Sequence, residues 1–325
     1  MKNILILDTA VGSDNKGDDI IMECVRSELG FILNDAFEST LPTQVSSFHW
    51  YQVWRNSYRI RLYANSDLKF IGGSNILCKN MLTHYPQWNI NWFNSKPLVG
   101  SIGVGIGSGA GDKTNWYTRR LYRKVLSHDY YHSVRDQRTK DYMESLGLKA
   151  INTGCVTMWM LTPEFCRTIP TKKSRRVVFT LTGFMTCRES QFIVDTLVDN
   201  YEEVYFWPQG IQDFQYFQRL NNIECINILP ASKEAYDVYL TDNDTDYVGT
   251  RLHGGIYAMR HGRRAIIISI DERAMEINKT NHLICIDKDE IQQLPAMINS
   301  ELETQVVMDF DSIAKWKSQF KSFTE

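Results

Sequence analysis

The sequence predicts an α/β protein with two successive domains, each built on a parallel sheet. The chain has 325 residues, which is enough for two domains of ordinary size. Short apolar runs that end in glycine or a polar loop alternate with segments of helical periodicity, as is typical of parallel α/β layers. The alternation is interrupted over residues 162–176, a stretch with two prolines and a basic cluster. We interpret this stretch as the interdomain linker.

The first domain is predicted over residues 1–165. Its buried strands are expected in KNILILD at the N-terminus, in LKFIGG, in PLVGSIGVG and in YYHSV. Helical spacing follows in IIMECVRSEL and in KTNWYTRRLYRKVLS. In DQRTKDYMESLG, Asp136 has the position of a helix N-cap and Gly147 that of the glycine after a helix end.

The second domain is predicted over residues 175–305. Its strands are expected in VVFTL, VYFWPQ, DYVGT and RAIIISI, with helices between them. Residues 306–325 carry apolar side chains at helical spacing, so we expect a C-terminal helix that packs back on the domains. Ligands of such folds bind beside the carboxyl ends of the strands, which predicts a ligand cleft between two facing domains.

The composition excludes several classes of protein. Hydrophobic residues make up 43% and charged residues 23% of the chain, as in globular proteins. The net charge of -2 gives no overall attraction to nucleic acid, so an anion site has to be local. Seven scattered cysteines without a CxxC pair favour reduced thiols in a cytoplasmic protein. The apolar runs are too short to span a membrane, which leaves peripheral membrane contact open.

The stretch YVGTRLHGGIYAMRHG (residues 247–262) places Arg251 and His253 between a predicted strand and a helix. Gly254 and Gly255 allow another group to approach the backbone closely. One interpretation is an anionic ligand. The other is that Arg251 pairs with a neighbouring carboxylate and His253 is an ordinary first-turn residue. The later arginines, Arg260, Arg263 and Arg264, are expected at the surface.

Two further polar positions follow predicted strands of the first domain. Arg135 ends the strand in YYHSV, where it forms either a surface ion pair or a second guanidinium fork that clamps an anion together with Arg251. Gly17 allows a tight turn after the first strand. Asp18 is either a cap of the next helix or an acceptor or general base for a sugar hydroxyl.

Glycine-rich loops and aromatic stretches complete the set of candidates. The loops GGSN (72–75) and IGVGIGSGAG (102–111) are interpreted either as tight turns or as places where a ligand meets the backbone. The stretches FHWYQVWRNSYRIRLY and HYPQWNINWF are expected to pack in the core, with stacking on a sugar ring as the alternative. No HExxH motif, metal-spaced carboxylate run or nucleophile elbow occurs, so we expect no intrinsic metal.

Taken together, NKGDD, FIGGSN, SVRDQRTKDYMESLG and YVGTRLHGGIYAMRHGRRAIIISID resemble, in this order, the polysaccharide pyruvyl transferase family. The resemblance implies two Rossmann-like domains facing a cleft, as in the GT-B glycosyltransferases. It implies a transferase that moves a pyruvyl group from phosphoenolpyruvate to hydroxyls of a sugar in a surface polysaccharide, such as a capsule or exopolysaccharide, or in its precursor. The product is a pyruvate ketal, and no cofactor beyond the donor substrate is implied.

The resemblance also places the functional residues. It implies that the first domain binds the acceptor and that the second domain binds phosphoenolpyruvate. His253, Asp18 and Arg251 are expected to be catalytic, and the residues expected to bind substrate are Arg135, Arg251, Leu252, His253, Gly254, Gly17, Gly72 and Gly73. Ser74 stands where the family pattern has a third glycine.

The expected chemistry follows from these positions. Arg135 and Arg251 hold the phosphate and carboxylate of phosphoenolpyruvate, while His253 either anchors the donor or protonates its methylene carbon. Asp18 takes the proton of the attacking hydroxyl. The acceptor is a sugar or a lipid-linked oligosaccharide, met in the cytoplasm with the inner face of the membrane as an open location. Alternatives are a GT-B glycosyltransferase that uses a nucleotide sugar, or a non-catalytic carbohydrate-binding subunit.

Overall fold

The chain divides into two α/β units. The computed structural model describes residues 1–84, 87–109, 113–183, 189–270, 277 and 280–323. Unit 1 comprises Met1–Ser13, Ile21–Trp159 and Asp309–Glu325, and unit 2 comprises Asp14–Ile20 and Met160–Met308. These boundaries differ from the expected ones. The break falls after Trp159, ahead of the proline-containing stretch, and the segment that holds Gly17 and Asp18 groups with the second unit.

Unit 1 is built on parallel strands. In chain order they are β1 (Lys2–Asp8), β2 (Ala36–Pro42), β3 (Leu68–Gly72), β4 (Ser101–Val104), β5 (His132–Val134) and β6 (Ala150–Asn152). The first four form a sheet in the order β2-β1-β3-β4, and β5 pairs with β6. The four strands expected from apolar runs are present. The edge strand β2 and the short strand β6 lack such runs and were not predicted.

The helices of this part of the chain are α1 (Lys16–Glu28), α2 (Gly30–Leu33), α3 (Trp50–Arg55), α4 (Tyr58–Ala64), α5 (Trp116–Val125) and α6 (Gln137–Ser145). Asp136 caps α6, since its side chain accepts a hydrogen bond from the amide of Thr139 at 2.6 Å, and Gly147 has a φ of 78° after the helix end. Both predictions are confirmed. Asp18 and Asp19 lie inside the first turn of α1, which excludes the alternative in which one of them is the N-cap of this helix.

Unit 2 contains a parallel sheet in the order β12-β11-β10-β7-β8-β9. Its strands are β7 (Arg176–Thr180), β8 (Glu203–Phe206), β9 (Asn227–Ile228), β10 (Asp246–Gly249), β11 (Ala265–Ser269) and β12 (Cys285–Asp287). Its helices are α7 (Pro163–Cys166), α8 (Ser190–Asn200), α9 (Ile211–Phe217), α10 (Lys233–Asp242), α11 (Leu252–Arg260) and α12 (Leu294–Asn299). Buried aliphatic side chains of the strands form one core with α8 and α12.

The C-terminal helix α13 (Phe310–Ser318) belongs to unit 1. Its apolar spacing buries Ile313, Trp316 and, just beyond the helix, Phe320. The Trp316 Nε1 donates a hydrogen bond to the backbone oxygen of Tyr131 at 2.8 Å. Within the described ranges, no helix combines the length and apolar character needed to cross a bilayer.

The histidines near β5 have different surroundings. His132 is fully buried, and its Nδ1 accepts a hydrogen bond from the Gly103 amide at 2.9 Å, while its Nε2 lies 2.9 Å from the Ser127 oxygen. Burial lowers the pKa of His132 to about 4, so the ring is neutral near pH 7 and ties β4 to β5. His128 is exposed.

Arg264 contradicts the expectation that it lies at the surface. Its side chain is only 1% exposed and pairs with Asp246 through Nη1 and Oδ2 at 2.6 Å. The Nη2 atom donates to the backbone oxygens of Met297, Ile298 and Ser300 at 2.9 to 3.1 Å. Arg264 therefore joins the amino end of β10 to the carbonyl groups at the end of α12. A charge buried in this way requires its partner, because desolvation is costly when the pair is broken.

We expect Arg264→Met to lower the free energy of unfolding of unit 2 by about 3–5 kcal/mol, because Asp246 would remain buried without its cation. Urea unfolding followed by circular dichroism measures the loss. Arg263→Met is the matched control, since Arg263 is one residue away and its nearest carboxylate, on exposed Asp244, is 3.9 Å distant. Equal losses for the two variants would contradict this account of Arg264.

Candidate functional site

A buried carboxylate, Asp213 in α9, organises the candidate site of unit 2. Its side chain has no exposed surface. Oδ1 accepts hydrogen bonds from the Gly183 amide at 2.8 Å and from Arg251 Nη2 at 2.5 Å. Oδ2 accepts hydrogen bonds from the backbone amide of Gln209 at 3.2 Å and from Arg251 Nε at 3.1 Å. Asp213 thus accepts hydrogen bonds from one edge of the Arg251 guanidinium and from two backbone amides.

These partners lie beyond the carboxyl ends of three neighbouring strands. Gly183 follows β7, Gln209 follows β8 and Arg251 follows β10, and the sheet order places β10, β7 and β8 side by side. The carboxyl ends of parallel strands are where α/β folds bind ligands. Asp213 therefore fixes the relative positions of three loops at the edge of the sheet where a ligand is expected.

The backbone of Arg251 is held as firmly as its side chain. Its amide donates to Thr180 Oγ1 at 3.3 Å, and its carbonyl accepts from the Tyr247 hydroxyl at 2.7 Å. The Tyr247 oxygen also lies 2.6 Å from Thr180 Oγ1. Burial raises the pKa of Tyr247, so its phenol remains a neutral donor near pH 7. One interpretation of the sequence was that Arg251 pairs with a neighbouring carboxylate. Arg251 does form such a pair, and the carboxylate belongs to Asp213.

The pair Gly254 and Gly255 lets α11 lie close to the sheet. A Cβ at Gly254 would come within 2.7 Å of Gln209 Nε2, and a Cβ at Gly255 within 2.8 Å of Ile267 Cγ1. The sequence predicted that another group approaches the backbone closely at these glycines. In the structure, the groups that do so are the protein's own Gln209 and Ile267 side chains. Leu252 and His253, both half-buried, form the first turn of the helix immediately before them.

Gln209 lies where the amino ends of two helices approach each other. Its backbone oxygen accepts a hydrogen bond from the Lys16 amide, the first of α1, at 2.9 Å, and its side chain lies against Gly254 in the first turns of α11. The side chain is 1% exposed, and Nε2 has no hydrogen-bond partner among the described residues. A buried amide donor without a protein partner is unusual, and either an ordered water or a ligand would supply one.

The α1 turn brings the predicted acceptor residues to the same place. The Gly17 amide donates to Asn15 Oδ1 at 3.1 Å, as in a tight turn, and a Cβ at Gly17 would lie 3.3 Å from Gln209 Oε1. Asp18 is buried. Lys16 and Asp19, both half-buried, pair at 3.2 Å.

Arg135 belongs to unit 1 and is also held by polar neighbours. Its Nη2 donates to Asn75 Oδ1 at 2.5 Å and its Nε lies 3.3 Å from Asp136 Oδ2. The guanidinium covers Gly107, where a Cβ would overlap it. The loop GGSN thus contacts Arg135 through Asn75, a residue that the sequence interpretation did not select.

Gly72 and Gly73 are required by packing within unit 1. A Cβ at Gly72 would overlap the Met22 side chain of α1, and one at Gly73 would lie 2.5 Å from the Gly105 oxygen. These contacts explain both glycines without a ligand, and a role in substrate binding stays a prediction. Gly111, at the end of the second glycine-rich loop, and Cys187 lie outside the described residues.

The predicted site residues fall into two groups. Unit 2 holds Gly17, Asp18, Arg251, Leu252, His253 and Gly254, and unit 1 holds Arg135, Gly72 and Gly73. Sequence reasoning missed Asp213 and Gln209. A signal was present, because the predicted strand VYFWPQ ends in Pro208 and Gln209, Gly210 follows it, and Asp213 comes about one helical turn later. Polar residues after a buried parallel strand are candidates for a site.

In the part of the chain that the structure describes, no three His, Cys, Asp or Glu side chains are grouped as a metal would require. Independence from a metal stays a prediction.

Comparison with known folds supports the α/β architecture. The chain is similar to Staphylococcus aureus MnaA in a structure with UDP, at 10% identity and a TM-score of 0.54, over 99% of this chain and 97% of that one. It is also similar to Methanocaldococcus jannaschii UDP-GlcNAc 2-epimerase, determined with UDP-GlcNAc and UDP, at 11% identity and a TM-score of 0.52, over 99% and 100% of the two chains. At these identities the likeness shows the fold alone, which is GT-B-like as predicted.

Comparison of the sequence gives the family. Among curated proteins none matches the chain. The family model for polysaccharide pyruvyl transferase matches residues 15–272, a range that contains Asp18, Arg135, Asp213, Arg251 and His253. The match confirms the family expected from the motifs, and the chain belongs to the polysaccharide pyruvyl transferase family.

Proposed function

We propose that the protein transfers a pyruvyl group from phosphoenolpyruvate to two hydroxyls of a sugar in a surface polysaccharide or its precursor. The observation that carries this proposal is the arrangement around Arg251, a guanidinium fixed by Asp213 beside the first turn of α11. Family membership supports the reaction class. The reduced thiols expected from the sequence favour the cytoplasm as its location.

The unit 2 site offers directed hydrogen-bond donors more than net positive charge. The ion pair of Arg251 with Asp213 is neutral as a whole, and Asp213 fixes the direction of the guanidinium through its Nε and Nη2 atoms. The amino ends of α1 and α11 add partial positive charge. Helix amino ends and guanidinium forks are the groups that bind phosphate and carboxylate. A doubly charged donor such as phosphoenolpyruvate suits this combination.

The buried amide of Gln209 completes the proposed donor site. Its Nε2 is a neutral donor that lies against Gly254 of α11 and has no partner among the described residues. An oxygen of the bound donor would supply that partner. Because the amide is held between two helix starts, it would favour one orientation of the donor over others.

In the proposed reaction, His253 gives a proton to the methylene carbon of phosphoenolpyruvate, which makes C2 electrophilic. A sugar hydroxyl attacks C2 and loses its proton to Asp18. The C2–O bond to phosphate then breaks, and a second hydroxyl attacks C2 and closes the ketal while its proton passes to the departing phosphate. Arg251 stabilises the departing phosphate. Arg135 of unit 1 is proposed as a second anion ligand, since Asn75 and Asp136 hold its guanidinium in one orientation.

A nucleotide sugar is the specific rival donor, because both fold relatives were determined with UDP. Thermal unfolding with each ligand separates the two proposals. Phosphoenolpyruvate at a hundred times its Kd should stabilise the protein by about 2.7 kcal/mol, while UDP and UDP-GlcNAc should have no effect. Stabilisation by the nucleotides alone would assign the protein to nucleotide-sugar chemistry. Stabilisation by no donor would favour a non-catalytic subunit.

Asp213→Asn should lower kcat/KM for phosphoenolpyruvate by about a hundredfold, because a guanidinium without its carboxylate is misplaced in the site. Steady-state phosphate release with an accepted glycoside measures the effect. The variant will also lose stability, since it breaks a buried ion pair.

The matched control for this variant is Asp246→Asn. Asp246 is another buried carboxylate of unit 2 that pairs with an arginine, Arg264, at the opposite end of β10. It should lose stability to a similar degree and keep kcat/KM unchanged when both variants are assayed below their unfolding temperatures. An equal loss of kcat/KM in both variants would refute the positioning role of Asp213.

His253→Gln should keep affinity for phosphoenolpyruvate and lose turnover if His253 donates the proton, because glutamine can hydrogen-bond but cannot act as an acid near neutral pH. The pH profile of kcat should lose the limb that reports this acid. His261→Gln, at the other end of α11, controls for effects on the helix. Loss of donor affinity without a changed pH profile would show that His253 only anchors the donor.

A further inference from the structure

Two short helices of unit 1 expose aromatic side chains to solvent. Trp50 and Trp54 lie one turn apart on α3 and are 65% and 79% exposed, and Tyr58, the first residue of α4, is 72% exposed. Val53 and Ile60 anchor the two helices in the core of unit 1. The sequence interpretation placed this stretch mainly in the core. The structure shows that it is anchored by its aliphatic residues and presents its largest aromatic side chains outward.

A neighbouring turn extends the exposed aromatic area. Asn94 Nδ2 donates to Ser46 Oγ at 3.0 Å, which joins this turn to the segment before α3. Phe93 of the same turn is exposed, and Lys124 Nζ lies 4.3 Å from the centre of the Trp92 ring. Exposed apolar groups that cluster in this way mark interaction sites more often than isolated ones do.

The charged side chains in the segments that carry these aromatic groups are all basic. Arg55, Arg59 and Arg61 are exposed, and the segments 43–66 and 87–99 contain no aspartate or glutamate. Arg61 is fixed by donating to the Asn56 oxygen at 2.7 Å, across the turn between the helices. We call residues 50–61 together with Trp92 and Phe93 the aromatic–arginine surface.

We propose that the aromatic–arginine surface docks on an anionic lipid bilayer. Tryptophan and tyrosine favour the boundary between lipid headgroups and acyl chains. Arginines beside them attract anionic headgroups. The arginines oppose self-association through this surface, since two copies facing each other would bring like charges together.

This proposal goes beyond the proposed function and does not depend on it, because docking requires neither donor nor acceptor. It would bring the enzyme to the membrane, where a lipid-linked acceptor would be found.

Cosedimentation of the full chain with vesicles tests the proposal. The protein should sediment with phosphatidylcholine vesicles that contain phosphatidylglycerol, should not sediment with phosphatidylcholine alone, and should be released by salt. Arg55→Glu with Arg59→Glu should weaken sedimentation by about tenfold or more. Trp50→Ala with Trp54→Ala should weaken it to a similar degree, because the aromatic anchors are lost.

Two double variants serve as matched controls. Arg167→Glu with Arg175→Glu reverses the same charge at exposed positions of unit 2, and Phe37→Ala with Val238→Ala removes exposed apolar groups elsewhere. Both should sediment like the unchanged protein, with circular dichroism confirming that all variants are folded. Failure of the unchanged protein to bind anionic vesicles, or equal losses in the controls, would overturn the proposal. Retention on a neutral polysaccharide without vesicle binding would overturn it in favour of a sugar-stacking surface.

Discussion

The contact between Asp213 and Arg251 is the constraint on which the unit 2 site depends. A carboxylate with no exposed surface has to be fully hydrogen-bonded. Asp213 meets this requirement with the loops that follow β7, β8 and β10. Any change in one loop would leave the buried charge short of a partner. The geometry of three loops is therefore coupled through one side chain, and the cation that faces the proposed donor cannot move independently of them.

This coupling determines what kind of anion site unit 2 can offer. A neutral ion pair attracts a distant anion weakly, so recognition has to come from short-range donors in fixed directions. The Lys16, Gly17 and Asp18 amides at the start of α1 already donate within the protein, so the donors of the proposed site are the first turn of α11 and the side-chain amide of Gln209. The glycines of the RLHGG motif serve the same arrangement, since a side chain at Gly254 would displace Gln209.

Much of the fold could be predicted from the sequence, because buried parallel strands have continuous apolar runs and Asp136 and Gly147 have positions typical of helix ends. Arg251 and His253 were selected for the same reason, as polar residues between such a strand and a helix, and their role in the site stays a prediction. Asp213 could not be assigned a partner, since the adjacency of β10 with β7 and of β7 with β8 is a property of the sheet order. Arg264 was placed wrongly, because the basic run RHGRR looks like solvated surface, while the carbonyl groups that receive its guanidinium come from α12.

The most direct test of the central claim is a crystal structure of the protein with phosphoenolpyruvate. We expect an anionic group of the donor to bind the Arg251 guanidinium and the first turn of α11, with the Asp213 contacts intact and Gln209 Nε2 hydrogen-bonded to the donor. Phosphoenolpyruvate bound away from Arg251, or a donor that displaces Asp213 from Arg251, would contradict this expectation.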